Sequence, residues 1–369
     1  MPTTRQQEYA EQPASGQTLL ACTAVAIGAA DRLPQFDESQ WNTLFEQACR
    51  HNIAALIAGC MPAHAAEIPL TPKLKFATIE SQARRSFDRM CSVTAQLLHL
   101  FNGHGIETML LKGLALCRLY ADPALRTFTD IDIYQFGRFR QADALVAQKW
   151  GIKIDNRTLH HTKYVVDGIT VENHYDFVSR YGAWGNRRNE SWLKREALQG
   201  RVQFAVGGEK CLLPPPDLTA LFLMRHMANH FAAETVTLRH LVDWTLFCRT
   251  ETPDWEHVAA VIKRMGMAPF ALSIEEICSI WLGCGRHIGS ALHASAPAEQ
   301  SSKVLTELLT GQELHRLPDE SHPMARIQGK WKRVVQSRWK HDMCYPAPWL
   351  LDLPCMIGAK LAKPHTILH

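Results

Sequence analysis

The chain has 369 residues, more than one average domain, so two or three compact units are expected. Hydrophobic residues make up 46% and charged residues 21%, a globular balance that needs no disulfide or metal staple to hold a core. The net charge of +4 is too small to argue for nucleic acid and suits an anionic small ligand equally well.

The polar opening, MPTTRQQEYAEQPASGQ, lacks the basic start of a signal peptide. The apolar run after it, TLLACTAVAIGAA, is shorter than the ~20 residues that cross a bilayer. No later segment is longer and as apolar, so a soluble, cytoplasmic protein without a transmembrane segment is expected. The 11 cysteines are scattered and form no C-x-x-C pair, the usage of small core residues in a reducing compartment.

Trp41, Leu44, Phe45 and Ala48 fall at the i, i+3, i+4, i+7 spacing of one helix face. Pro69 and Pro72 punctuate the pattern, and a long helical run follows from Lys75 to the glycines Gly103 and Gly105. Residues 1–100 are therefore expected to form an N-terminal helical region.

The character changes over 101–206. IETMLLKG reads as a short strand ending at Gly113, LALCRLYA as one or two helical turns, and ADPAL as a turn. FTDIDIYQF reads as a strand and FRQADALVAQKWG as a helix closed by Gly151. HHTKYVVDGITVENHYDFV holds two β-rich runs around Asp167-Gly168, the signal for a tight hairpin. This succession predicts an α+β unit. GNRRNESWLKREALQGR, with Arg187, Arg188, Lys194 and Arg195, reads as a solvated helix face.

Over 207–369 the pattern returns to helix. Pro214 to Pro216 form a stiff lead-in and Asp217 a plausible N-cap. TLRHLVDWTLFCRT and WEHVAAVIKRMG give two more helices. In GKWKRVVQSRWKH, Trp331, Val334, Val335 and Trp339 share a helix face amid basic residues. Such a helix can meet nucleic acid or a membrane, but it more commonly buries its tryptophans against its own domain.

Asp130-Ile131-Asp132-Ile133 holds two carboxylates on one side of a strand and two isoleucines on the other. Two like charges this close repel unless a divalent cation sits between them. Carboxylate oxygens suit Mg²⁺, which keeps waters and phosphates as further ligands. Glu172, on the second strand of the hairpin, can approach as a third acid. Gly113 allows close backbone approach at the start of a short helix, where an anion meets N–H groups. Lys112 and Arg126 can add positive charge for phosphates. The bland alternatives are a solvated strand end for the Asp pair, an exposed hairpin acid for Glu172 and a half-buried strand histidine for His174. Salt bridges to the Asp pair are the bland reading for Lys112 and Arg126.

The order of these motifs resembles the nucleotidyltransferase superfamily typified by DNA polymerase β. More narrowly, LLKGLAL, LRTFTDIDIY and VENHYDF resemble the bacterial uncharacterised nucleotidyltransferase family, with its Lys-Gly, Arg-x-x-Ser/Thr-Asp-x-Asp and acid-x-His. The resemblance implies a polymerase β-like α+β core, a small mixed sheet with helices, flanked by N- and C-terminal helical regions. It implies Asp130, Asp132 and Glu172 as metal ligands and catalytic acids, with Gly113 against the triphosphate; by their own chemistry Lys112 and Arg126 are further candidates around the nucleotide, and His174 a candidate to orient Glu172 or the acceptor. The implied reaction uses two Mg²⁺ ions and an NTP such as ATP. The NMP group passes to an acceptor, a small molecule, natural product or protein, and pyrophosphate leaves.

Two other readings stand beside it. The superfamily usually has Gly-Ser or Gly-Gly where this chain has Gly113-Leu114, which would suit a catalytically silent nucleotide- or partner-binding module. His226 and His230, at i, i+4 in HMANHFAAE, would suit a metal-dependent hydrolase. However, Met227 stands where H-E-x-x-H has its glutamate. Arg239, His240 and Asp243 could join the same cleft.

Overall fold

The computed structural model describes residues 12, 14–61, 68–178, 186–314, 335 and 337–362. Contacts divide the chain into two compact units, Met1–Gln82 with Leu223–Pro346, and Ala83–Phe222 with Ala347–His369.

The first unit is helical, and it joins the N-terminal segment Met1–Gln82 to the later segment Leu223–Pro346. Its packing follows from the aromatic positions: Trp41 meets Phe76 edge-on at 6.4 Å, and Phe231 lies 5.0 Å from Phe270. The helix Glu38–Arg50 starts with a capping box, in which the Asp37 side chain accepts from the Gln40 N–H and Gln40 returns the bond. Glu275 closes the start of the helix His287–Leu292, accepting from the N–H groups of Ile288 and Gly289 at 2.7 Å each.

Of the basic tryptophan segment, Lys330, Trp331, Lys332, Arg333 and Val334 lie outside the described residues. Trp339, which is described, sits edge-on to Phe231 at 5.5 Å with the Lys303 ammonium 4.2 Å above its ring. Trp339 is half-buried there, whereas Val335 of the same face is exposed.

The second unit carries a six-stranded mixed sheet in the order β3-β4-β2-β1-β6-β5. Its strands are β1 (Met109–Leu110), β2 (Asp130–Tyr134), β3 (His161–Val166), β4 (Ile169–His174), β5 (Val202–Val206) and β6 (Glu209–Leu213). β2 runs parallel to β4, and β1 parallel to β6; the other pairs are antiparallel. One sheet face supplies Leu110, Ile131, Ile133, Tyr164, Val171 and Leu213 to a core. Against it pack Val93, Leu97 and Phe101 of the helix Leu70–Gly103, and Ala142 and Val146 of the helix Phe139–Trp150. Burying such side chains stabilises by roughly 1.5–3 kcal/mol each, which makes this face the main anchor of the sheet.

The observed elements differ from expectation in informative places. The helix Leu70–Gly103 runs through Pro72, which occupies its first turn and gives up an N–H that has no intrahelical acceptor there. The helix Pro216–Ala233 begins one residue before Asp217, so Asp217 lies in the first turn and not at the cap. The β5–β6 hairpin went unread in VQFAVGGEKCLL. Its turn is Gly207-Gly208, with φ of +57° and +84°, values that glycine adopts without strain. Arg187, Arg188 and Arg195 are exposed on the helix Asn186–Glu196, as a solvated face requires. Lys194, from the same run, turns inward to Asp176 and, at 3.4 Å, to Glu190.

Candidate active site

Strand register assembles the site. β2 and β4 place Asp132 beside Glu172 and Tyr134 beside His174. β3 and β4 place Lys163 beside Glu172 and His161 beside His174. Ile131, Ile133 and Val171 alternate with these residues and enter the core, so Asp132, Glu172, His174, His161 and Lys163 form a polar row on the opposite face.

Asp132 is the most enclosed member, 2% exposed. Its Oδ1 takes the Lys112 ammonium at 3.0 Å and lies 3.0 Å from His174 Nε2. Burial works to raise this carboxyl's pKa. The Lys112 charge and the His174 ring outweigh burial and hold the group well below the usual carboxylate range. Oδ2 is buried with no hydrogen-bond partner. Glu172 Oε1 meets the Lys163 ammonium at 2.9 Å and His161 Nε2 at 3.6 Å, and its Oε2 lies 3.9 Å from His174 Nε2. Burial pushes His161 down to about 3, with the neighbouring His174 adding in the same direction; His160 is pushed down for the same two reasons.

Asp132, Glu172 and His174 each offer a ligand atom, and the three atoms lie within 4.8 Å of one another. Two carboxylates, one with an unpartnered buried oxygen, beside an imidazole fit a divalent cation. Asp130 is not among the three. It opens β2, half-buried, opposite Thr170 and one pleat away from Glu172.

Lys112 and Gly113 link β1 to the single helical turn Leu114–Cys117. Gly113 has φ +54° and ψ −115°, and a Cβ there would meet the Phe128 ring at 3.1 Å. Only glycine adopts that backbone comfortably. Arg126 is buried, 3% exposed, and donates to the Gly113 carbonyl at 3.3 Å. The N–H groups of Leu116 and Cys117 bond back to the Gly113 carbonyl as well, so this short turn presents fewer N–H groups to an anion than the sequence suggested.

The family model for uncharacterised nucleotidyltransferases matches residues 37–283, more than half of the chain and including every residue of this row. The chain belongs to that family. A similar solved structure is the crystal structure of an antigenic nucleotidyltransferase-like protein from Paracoccidioides brasiliensis. It shares 16% identity over 57% of this chain and 94% of that chain, with a TM-score of 0.34. No curated protein matches. Membership of a nucleotidyltransferase family supports a general role in nucleotidyl transfer.

Two residues beside the polar row turn into the core. The Leu114 side chain belongs to the sheet core, together with Leu110 and Ile131. Asn173, between Glu172 and His174, also faces inward and is fully buried, donating to Asp143 Oδ1 on the helix Phe139–Trp150 at 2.9 Å.

The sequence reading missed His160, His161 and Lys163. The usable signal was the hairpin turn: once Asp167-Gly168 fixes the register, Lys163 must oppose Glu172 and His161 must oppose His174. His226 and His230 do stand together on the helix Pro216–Ala233, ring centroids 4.4 Å apart, with His240 at 5.8 and 5.9 Å. Arg239 reaches Asp243 at 3.6 Å along its own helix. No helix among the described residues is long and apolar enough to cross a membrane.

Proposed function

We propose that this chain transfers an NMP group from an NTP to a hydroxyl acceptor and releases pyrophosphate, with Mg²⁺ as the resident ion. The acceptor is a small molecule, a natural product or a protein side chain. The observation that carries the reading is the convergence of Asp132, Glu172 and His174, with Asp132 Oδ2 unpartnered, in a chain of nucleotidyltransferase kinship.

Asp132 and Glu172 would hold the ion, with Asp130 reaching it from the strand end. Bound there, the ion would neutralise charge on the attacking and leaving oxygens. Lys112 and Gly113 would receive the triphosphate, Lys112 as a point charge and Gly113 by its bare backbone. His174 fixes the Asp132 carboxylate, and Arg126 fixes the Gly113 carbonyl that shapes the turn. Glu172 would take the proton of the acceptor hydroxyl as its oxygen bonds to the α-phosphorus and the bond to pyrophosphate breaks.

The test is incubation with α-labelled NTPs, Mg²⁺ and fractionated acceptors. Label transfer with pyrophosphate release is expected, and Glu172→Gln should lower it by about a hundredfold or more. Transfer that persists unchanged in both Asp132→Asn and Glu172→Gln would remove these residues from the chemistry.

A further inference from the structure

Beside the two carboxylates stand two histidines that the proposed transfer does not use, His160 and His161, and both adjoin His174. His160, His161 and His174 each offer a ring nitrogen, and the three nitrogens lie within 4.8 Å of one another. The ring centroids are 4.5, 5.6 and 5.1 Å apart. Three imidazoles that converge on one ion at ~2.1 Å per nitrogen hold their ring centres about 5 Å apart. The spacing therefore suits a shared ion without rearrangement of the backbone.

The topology explains why the rings meet. His161 and His174 are cross-strand neighbours on β3 and β4. His160 immediately precedes β3, and its carbonyl accepts the N–H groups of Tyr175 and Asp176 at 3.0 and 3.1 Å, which ties it to the end of β4. A second, independent observation points to a ligand. Nδ1 of His160 and Nδ1 of His161 are both buried without a hydrogen-bond partner, and His161 is only 5% exposed. A buried imidazole nitrogen left this way is costly unless something takes its lone pair or its proton.

Charge and donor type decide what that something is. The nearby ammonium groups are already matched, Lys112 by Asp132 and Lys163 by Glu172, so no unbalanced cation is paired within this row. Imidazole nitrogen suits borderline transition metals, whereas Mg²⁺ prefers oxygen. We propose that His160, His161 and His174 bind one divalent transition-metal ion of the zinc class, at a site that adjoins the carboxylate pair and shares His174 with it. The ion pins the open end of the β3–β4 hairpin beside Glu172. This inference stands on the imidazole geometry and not on the transfer reaction.

The experiment uses the full chain, stripped with chelator and dialysed against Zn²⁺ in excess Mg²⁺, with bound metal measured by mass spectrometry. One equivalent of zinc is expected. Co²⁺ in its place should give the visible ligand-field bands of nitrogen coordination. His160→Ala and His161→Ala should each weaken zinc binding at least about tenfold and lose those bands, while Glu172→Gln keeps them. His160→Gln and His161→Gln, with thermal melts, control for folding. Substoichiometric zinc in the unaltered protein overturns the proposal, as does zinc retained in both histidine variants. Zinc lost with Glu172→Gln but kept by the histidine variants assigns the ion to the carboxylates and also overturns it. Mg²⁺-dependent NTP binding is measured separately on the same samples, so the failure of one reading is distinguishable from the failure of the other.

Discussion

Asp132 and Glu172 are neighbours in register yet sit in different dielectric surroundings. The Asp132–Lys112 pair is enclosed, with side chains 1% and 14% exposed, whereas Lys163 opposite Glu172 is 44% exposed. Removing one member of an enclosed pair strands the other charge, while a solvated pair contributes little. Asp132→Asn should therefore destabilise by about 3 kcal/mol and Glu172→Gln by less than about 1 kcal/mol, measured by urea unfolding at pH 7. Equal costs would mean that Lys112 finds another counter-charge. The contrast also makes Glu172→Gln the cleaner probe of chemistry, because its effect on folding is small.

His51 gives a second residue-scale outcome, this time in pH. It is buried, accepts the Leu238 N–H on Nδ1 at 3.3 Å, and is pushed down to about 4 by burial first and the Arg50 charge second. The unfolded chain binds a proton near pH 6.5 and the folded chain does not, so stability falls as pH drops from about 6.5 to about 4. The loss attributable to this side chain approaches about 3 kcal/mol by pH 4. His51→Gln should flatten the acid limb by up to about 1.4 kcal/mol per pH unit in denaturation curves taken between these values. An unchanged slope would remove His51 as a cause.

At the scale of elements, the Lys112-Gly113 turn is the joint between β1 and the site. Its left-handed backbone and the Phe128 ring behind it leave no room for a side chain. Gly113→Ala should cost about 1–3 kcal/mol in urea unfolding and displace Lys112 from Asp132. A neutral substitution would show that the turn relaxes freely.

Much at this scale was legible from residues alone. Asp-Ile-Asp-Ile announced a strand with one polar face, Gly151 announced a helix end, and Asp167-Gly168 announced the hairpin that carries Glu172. The β5–β6 hairpin was not read, because Gly207-Gly208 lies in a short run with charges on its turn side and invites a loop assignment. The cluster of histidines was invisible for a different reason. His160 and His161 are thirteen or more positions from His174 in the chain, and only the register of the finished hairpin joins them. Asp130 illustrates the converse: an i, i+2 pattern puts it on the same face as Asp132, but the group whose ligand atoms lie within 4.8 Å of one another is Asp132, Glu172 and His174.

At the scale of the molecule, the helical unit and the sheet unit are each built from two separate stretches of chain, and the sheet unit carries the whole polar row. Family kinship supports a general role in nucleotidyl transfer, and under the proposed function the row holds a cation and a nucleotide together. The central claim is that coupling, and it can be measured without knowing the acceptor. Titration calorimetry of a non-hydrolysable NTP analogue, with and without Mg²⁺, reads it directly. The account predicts that Mg²⁺ tightens nucleotide binding at least about tenfold, roughly 1.4 kcal/mol of coupling, and that Glu172→Gln erases most of it. Nucleotide affinity that is indifferent to Mg²⁺, or a coupling left whole in Glu172→Gln, would contradict it.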